Sequence, residues 1–224
     1  MLNVIFVKHG TKYCSDDVNR LYRSLLKYRS EDVKYHCYTE ETPDVQLNVD
    51  GLDRSINKIF IPAKPSLKKW WNKLSMFSSD FPLKGKVLYF DLDTMIKEDP
   101  FAILEDVDWD ALTLINCHWK SDQIYDRPTN YDVRINSSII TWTAENPKIH
   151  EIWDYFINKG YKDYFLRKYV GIDRYIVHEG FPYKTFDPKY IQSYKFEPYK
   201  NAPITTFEEI DYEKFSTVSR SESN

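Results

Sequence analysis

The sequence predicts an α/β protein with a mainly parallel central sheet and helices on both faces. Short β-branched apolar runs alternate with stretches of helical periodicity, the pattern that builds parallel sheets. The strongest strand signal, residues 86–90, is launched from Gly85 and carries a four-residue apolar run, which suits a strand buried on both faces. The chain has 224 residues, within reach of one domain.

The elements follow in order. Residues 3–8 read as a buried strand bounded by Gly10. Residues 16–29 read as a helix: Asp16 or Asp17 can cap it, and Val18, Leu21, Tyr22, Leu25 and Leu26 form its apolar stripe. Residues 33–39 alternate as a second strand, and residues 58–61 suggest a third, stopped by Pro62. Leu67, Trp70, Trp71, Leu74 and Phe77 give residues 66–78 a helical stripe. Strands are expected at 86–90, 111–115 and 135–142, and helices at 147–159 and 171–178. Residues 117–134 form a polar loop longer than a plain connection needs. The domain is expected to span 1–200, with residues 201–224 as a charged, Ser-rich extension that partly frays.

Composition narrows the function classes. Apolar residues make up 42%, enough for a packed core, so disorder is excluded. A net charge of -3 builds no basic field for nucleic acid. Tyr (18), Phe (13) and Trp (6) are abundant; such rings serve either an aromatic core or carbohydrate contact. Three cysteines, Cys14, Cys37 and Cys117, form neither a disulfide framework nor a metal knuckle. The first residues are too short an apolar run for a signal sequence, and no stretch is long enough for a transmembrane segment. A soluble, cytoplasmic protein is the expectation.

The chemistry is concentrated at Val87-Leu88-Tyr89-Phe90-Asp91-Leu92-Asp93-Thr94. Two carboxylates leave the end of a buried strand. Residues two apart share a face, so both can aim at one cation. Their oxygens suit Mn²⁺ or Mg²⁺, ions that bind one or two carboxylates plus substrate phosphates. In parallel sheets ligands bind beyond the carboxyl ends of the strands, which puts residues 8–13 and 91–94 on one functional edge.

Two enzyme classes share this pattern. Asp91, Asp93 and Thr94 resemble the first motif of haloacid-dehalogenase-like phosphatases, in which Asp91 would be the nucleophile and Asp93 a general acid. That motif normally opens its chain, and no late acidic pair follows here, since Asp106 and Asp108 lie too close. The other class is the GT-A fold glycosyltransferases. Residues 7–13 are similar to the first strand of small bacterial and viral DxD transferases related to glycosyltransferase family 8. Residues 37–40, 70–77 and 85–96 resemble the second strand, the helix before the DxD strand, and that strand itself. Asn136-Ser137-Ser138, residues 171–174 and Ser193-Tyr194-Lys195 resemble later elements in the same order.

This second resemblance implies a Rossmann-like GT-A fold and a metal-dependent, hexosyltransferase-like glycosyltransferase. The donor would be a UDP- or GDP-sugar and the acceptor a carbohydrate or glycolipid. Asp93 would contact the metal, with Asp91 shared between metal and ribose. Lys8, Gly10, Thr11, Tyr13, Leu92, Lys73 and Lys195 would hold the donor nucleotide, Lys73 either reaching the diphosphate or steadying the carboxylates. Asp173 would act as general base or contact the donor sugar, and Asn136 would face the reaction centre. Family 8 proteins usually take a third metal ligand from a late histidine in an H-x-x-G-x-x-K-P-W run, which is absent here. Asp187 is the replacement candidate, and His178 reads as structural. His118, Trp119, Asp122 and Asp126 are candidates for the acceptor site. A non-catalytic nucleotide-sugar-binding module is the remaining alternative.

Overall fold

Leu2–Lys8 forms β1 in the computed structural model, with β2 (Val33–Thr39) and β4 (Lys86–Phe90) paired parallel on either side of it. The structure describes residues 1–28, 32–40, 51–61, 67, 69–120, 133–159, 164–197 and 200–207. β3 (Ile56–Phe60) adds parallel to β2. Beyond β4 lie β7 (Ile135–Thr143), β6 (Thr113–Asn116) and β8 (Lys184–Thr185), giving a seven-stranded sheet in the order β3-β2-β1-β4-β7-β6-β8. Among the described strands of this sheet only β7 runs against the rest, antiparallel to β4 and to β6. This reversal matters for the site, because it brings the first residues of β7 beside the last of β4. A small second sheet joins β5 (Thr94–Ile96), β10 (Ile204–Thr206) and β9 (Ile191–Ser193) in the order β5-β10-β9.

The strands alternate between two cores, as period-two geometry requires. Val4 and Phe6 of β1, with Leu88 and Phe90 of β4, face α1 (Ser15–Leu26), which inserts Val18, Leu21 and Leu25. Ile5 and Val7, with Val87 and Tyr89, face the opposite layer. That layer holds a 3₁₀ helix (Lys69–Phe77), α2 (Pro147–Asn158), α3 (Phe165–Lys168) and α4 (Ile172–His178). Many of the aromatic residues pack into this core. Trp71 stacks on Phe156 at 5.4 Å, Phe156 on Phe165 at 5.7 Å, and Tyr175 meets Phe165 edge-on at 5.0 Å.

Several elements differ in detail from the sequence reading. The apolar stripe around Trp70 and Trp71 winds as a 3₁₀ helix, and Ser75 Oγ donates to the Asn72 carbonyl at 2.7 Å, a three-residue return. Residues 201–207 lie inside the fold rather than beyond it: Ile204, Thr205 and Thr206 are buried, and β10 pairs with two other strands. Residues 208–224 lie outside the described residues.

His36 on β2 is buried, and its Nε2 lies 3.1 Å from Asn3 Oδ1. Burial, and secondarily the Lys34 charge, pull its pKa down to about 4. A depressed histidine favours the fold while neutral, and that advantage is lost as pH falls from about 6.5 towards 4. Replacing His36 with Asn will flatten this arm of the stability profile, read as melting temperature against pH.

Candidate active site

A cleft of about 660 Å³ opens at the carboxyl ends of β1 and β4. One wall is the loop of residues 9–13 that joins β1 to α1. The floor carries Asp91, Leu92 and Asp93, directly after β4. The far wall combines Asn136, Ser137 and Ser138 at the start of β7 with Trp70, Lys73 and residues 170–174 leading into α4. The reversed β7 makes this possible: its Ile139 pairs with Phe90, and Ser138 accepts the Asp91 N–H at 2.7 Å.

The Asp91–Asp93 turn is held from several sides. Arg20 on α1 donates to the Leu92 carbonyl at 2.6 Å. The Phe207 N–H donates to the Asp93 carbonyl at 3.2 Å, so the segment after β10 supports the turn. Asp91 follows Tyr89 on the same face, and the Tyr89 hydroxyl donates to its Oδ1. Lys73 Nζ lies 2.8 Å from Asp91 Oδ2 and also reaches the Ser137 carbonyl at 3.2 Å. Tyr13 donates to Asp93 Oδ2 at 2.9 Å.

Carboxylates crowd the floor of the cleft, and Lys12, Lys73, Lys120 and Arg174 stand around them. Burial, and then repulsion from Asp91, push the Asp93 carboxyl up to about 6, despite the Tyr13 hydrogen bond and nearby Lys12 and Lys73. Asp173 is also pushed up by burial, opposed by the Ser137 hydroxyl and by Lys73 and Lys120. Its Oδ1 is buried and has no hydrogen-bond partner among the described residues.

Most of the expected site residues meet here: Gly10, Thr11, Tyr13, Lys73, Asp91, Leu92, Asp93, Asn136 and Asp173 all line the cleft. Lys8 does not. It is fully buried, with Nζ turned beneath the loop onto the Gly10 carbonyl at 3.2 Å. Lys195 is exposed, lies over the Phe196 ring at 5.0 Å and is not among the lining residues. Asp187 sits in a solvent-facing turn with Lys189, whose Nζ is 3.1 Å away, and does not line the cleft. His178 stacks on Tyr169 at 5.7 Å. His118 pairs with Glu197 at 3.1 Å and, like Trp119, stays off the cleft wall; Asp122 and Asp126 lie outside the described residues. Lys120, Arg174 and Trp70 line the cleft without having been singled out as site residues. Their types carry no pattern that separates them from surface or core residues before the fold is known.

No protein-family profile matches the chain, and no curated protein is similar to it in sequence at a significant level. Solved structures are similar in shape. Galactosyltransferase LgtC, in complex with donor and acceptor sugar analogs, aligns over 98% of this chain and 95% of its own, with a TM-score of 0.63 and 12% identity. GlyE, a glycosyltransferase of Streptococcus pneumoniae TIGR4, aligns over 98% of this chain and 61% of its own, with a TM-score of 0.65 and 14% identity. Mouse xyloside xylosyltransferase 1 aligns over 91% and 96%, with a TM-score of 0.54 and 11% identity. The chain has the GT-A fold. That fold agrees with the second of the two resemblances of the DxD strand. Both oxygens of Asp91 are engaged, by Lys73 and by Tyr89.

The donor set of this GT-A cleft fits a hard divalent cation. Asp91 and Asp93 offer carboxylate oxygens, and a cation between them would relieve the repulsion that raises Asp93. No group of three or more His, Cys, Asp or Glu side chains clusters to hold a metal among the described residues. The set is therefore incomplete without ligand oxygens, the arrangement Mg²⁺ and Mn²⁺ use on substrate phosphates. Among the described residues no helix is long and apolar enough to cross a membrane.

Proposed function

We propose that this protein transfers a sugar from a nucleoside-diphosphate donor to a carbohydrate or lipid-linked acceptor. The observation that carries this reading is the Asp91–Asp93 pair on the floor of a cleft of about 660 Å³, at the carboxyl edge of a GT-A sheet. Asp91 and Asp93 would hold Mn²⁺ or Mg²⁺, and the bound ion supplies Lewis-acid stabilisation to the departing diphosphate. Lys73 orients Asp91 and offsets one of the two anionic charges. Gly10, Thr11 and Tyr13 form the wall the nucleotide would lie against. Asp173 and Asn136 stand across the cleft, where the donor sugar and acceptor hydroxyl would meet. A half-buried carboxylate with one unsatisfied oxygen is suited to take a hydroxyl hydrogen bond or its proton. The relation to family 8 and the hexosyl class of the sugar belong to the same proposal.

Thermal melting with UDP, GDP, ADP and CDP, each with and without Mn²⁺, tests it. One diphosphate at 100 times its dissociation constant will add about 2.7 kcal/mol. For a chain of this size that raises the midpoint by about 5–10 °C. Mn²⁺ alone will do less, because Lys73 already offsets one carboxylate. No shift with any nucleotide would overturn the donor reading. Binding without turnover of any corresponding nucleotide sugar would leave the non-catalytic module.

A further inference from the structure

Gly10 sits at φ +61, and a Cβ placed there would meet no heavy atom within 4 Å. The left-handed backbone, not shortage of space, favours glycine at this position. Both polar groups of this residue are tied to charged side chains. Glu40, just past the end of β2, accepts the Gly10 N–H through Oε2 at 3.2 Å. Lys8, the last residue of β1, donates from Nζ to the Gly10 carbonyl at 3.2 Å. The parallel register sets Lys8 beside Thr39, so the two charged residues emerge at the same end of adjacent strands.

The arrangement is not incidental surface pairing. Lys8 is 0% exposed, and an ammonium withdrawn from water is costly unless it is hydrogen-bonded. Neither Lys8 nor Glu40 lines the cleft, yet the five residues between β1 and the N-cap of α1 all do. The last of these, Tyr13, donates to Asp93 Oδ2 at 2.9 Å. The backbone of Gly10 thus connects two charges behind the cleft to the wall in front of it.

We propose that Lys8 and Glu40 are positioning residues that clamp Gly10 by its two backbone groups and hold residues 9–13 in the shape that receives the nucleoside diphosphate. This rests on the donor reading above. A wall already ordered before binding loses less conformational freedom when the ligand arrives. Hydrogen bonds with one ionised partner are about twice as strong as neutral ones, which suits them to fixing a loop that has no ladder of its own. The buried Lys8 ammonium also leaves a positive charge directly beneath the loop, favourable to an anionic ligand above it.

The test uses the full chain with three substitutions: Glu40→Ala, Glu40→Gln and Lys8→Met. Two readouts are needed, hydrogen exchange of the peptide covering residues 9–13 and calorimetric affinity for UDP and GDP with Mn²⁺. Glu40→Ala is expected to speed exchange at least tenfold, weaken the preferred nucleotide about tenfold and raise donor KM with kcat within threefold. Glu40→Gln keeps a carbonyl oxygen as acceptor without the charge and is expected to fall between the parent and Glu40→Ala in both readouts. Lys8→Met is expected to follow Glu40→Ala; should it not fold, the Glu40 pair decides. Unchanged exchange in folded Glu40→Ala overturns the clamp. Faster exchange with unchanged affinity overturns its role in binding. Glu40→Gln as impaired as Glu40→Ala shows that the carboxylate charge, not the hydrogen bond to Gly10, is what matters, and also overturns it. If the parent protein binds neither nucleotide, the donor reading fails, while exchange still decides whether the clamp exists.

Discussion

Asp93→Asn will raise the melting temperature of the metal-free protein at neutral pH while removing metal-dependent donor turnover. The two effects share one cause. Asp93 is buried beside another carboxylate, and both conditions penalise its charged form. With its pKa at about 6 in the fold against 3.8 unfolded, the folded chain binds the extra proton between those values. Stability from this group is therefore full below about pH 4 and declines as pH rises through 6. Asparagine keeps an oxygen to accept from Tyr13 but carries no charge to bury. The gain at pH 7.5 should be on the order of 1–3 kcal/mol, roughly 2–10 °C in midpoint. It should shrink towards zero near pH 4, where the parent carboxyl is already neutral. Turnover should fall at least about a hundredfold, since metal stabilisation of a leaving group is worth several kcal/mol. Scanning calorimetry across pH checks the first half, and a donor assay with a Mn²⁺ titration checks the second. A midpoint that falls in Asp93→Asn at every pH would show that the carboxylate is satisfied without a metal.

The carboxylate-bearing edge was legible in the sequence because its signal is local. A four-residue apolar run followed by two carboxylates fixes a buried strand, its end and a shared face. The β1–α1–β2 unit was legible for the same reason, since its runs are long enough to show a period. The short strands were not. β5, β9 and β10 are three residues each and β8 two, below the length at which alternation can be recognised. Residues 201–207 read as part of an extension because Ile204, Thr205 and Thr206 are their only β-like stretch before a charged, Ser-rich end. Their place depends on pairing with β5 and β9, which the sequence does not announce. Lys8 shows a different limit. A lysine after an apolar strand reads as an emerging, ligand-facing cation, and the pattern holds no sign that Nζ turns back beneath the loop. Arg20 was similarly hidden: on α1 it reads as a solvated helix residue, yet it fixes the Asp91–Asp93 turn through the Leu92 carbonyl.

Lys73→Met will lower stability and donor binding together, yet leave affinity for Mn²⁺ alone unchanged or tighter. Lys73 is 8% exposed in its side chain and Asp91 23%, so the pair is largely withdrawn from water. Removing one member of a buried pair costs about 3–5 kcal/mol. Water access to Asp91 reduces this, and the Tyr89 hydroxyl still holds Oδ1, so about 1–3 kcal/mol is expected here. The Ser137 carbonyl loses a donor as well, which loosens the start of β7 where Asn136 and Ser138 line the cleft. The charge argument gives the sign for the metal. With Lys73 present, the Asp91–Lys73–Asp93 trio carries about one net negative charge at neutral pH; without it, about two. A lone cation therefore gains attraction, while an anionic diphosphate meets a more negative floor and a carboxylate free to rotate. Donor affinity in the presence of Mn²⁺ should fall at least about tenfold, equal to roughly 1.4 kcal/mol. Calorimetric titration of Mn²⁺ alone, and then of UDP or GDP into Mn²⁺-saturated protein, separates the two terms. Parallel loss of both affinities would mean that Lys73 chiefly keeps the site folded, whereas opposite signs would identify it as the cation that balances Asp91 until metal and diphosphate arrive together.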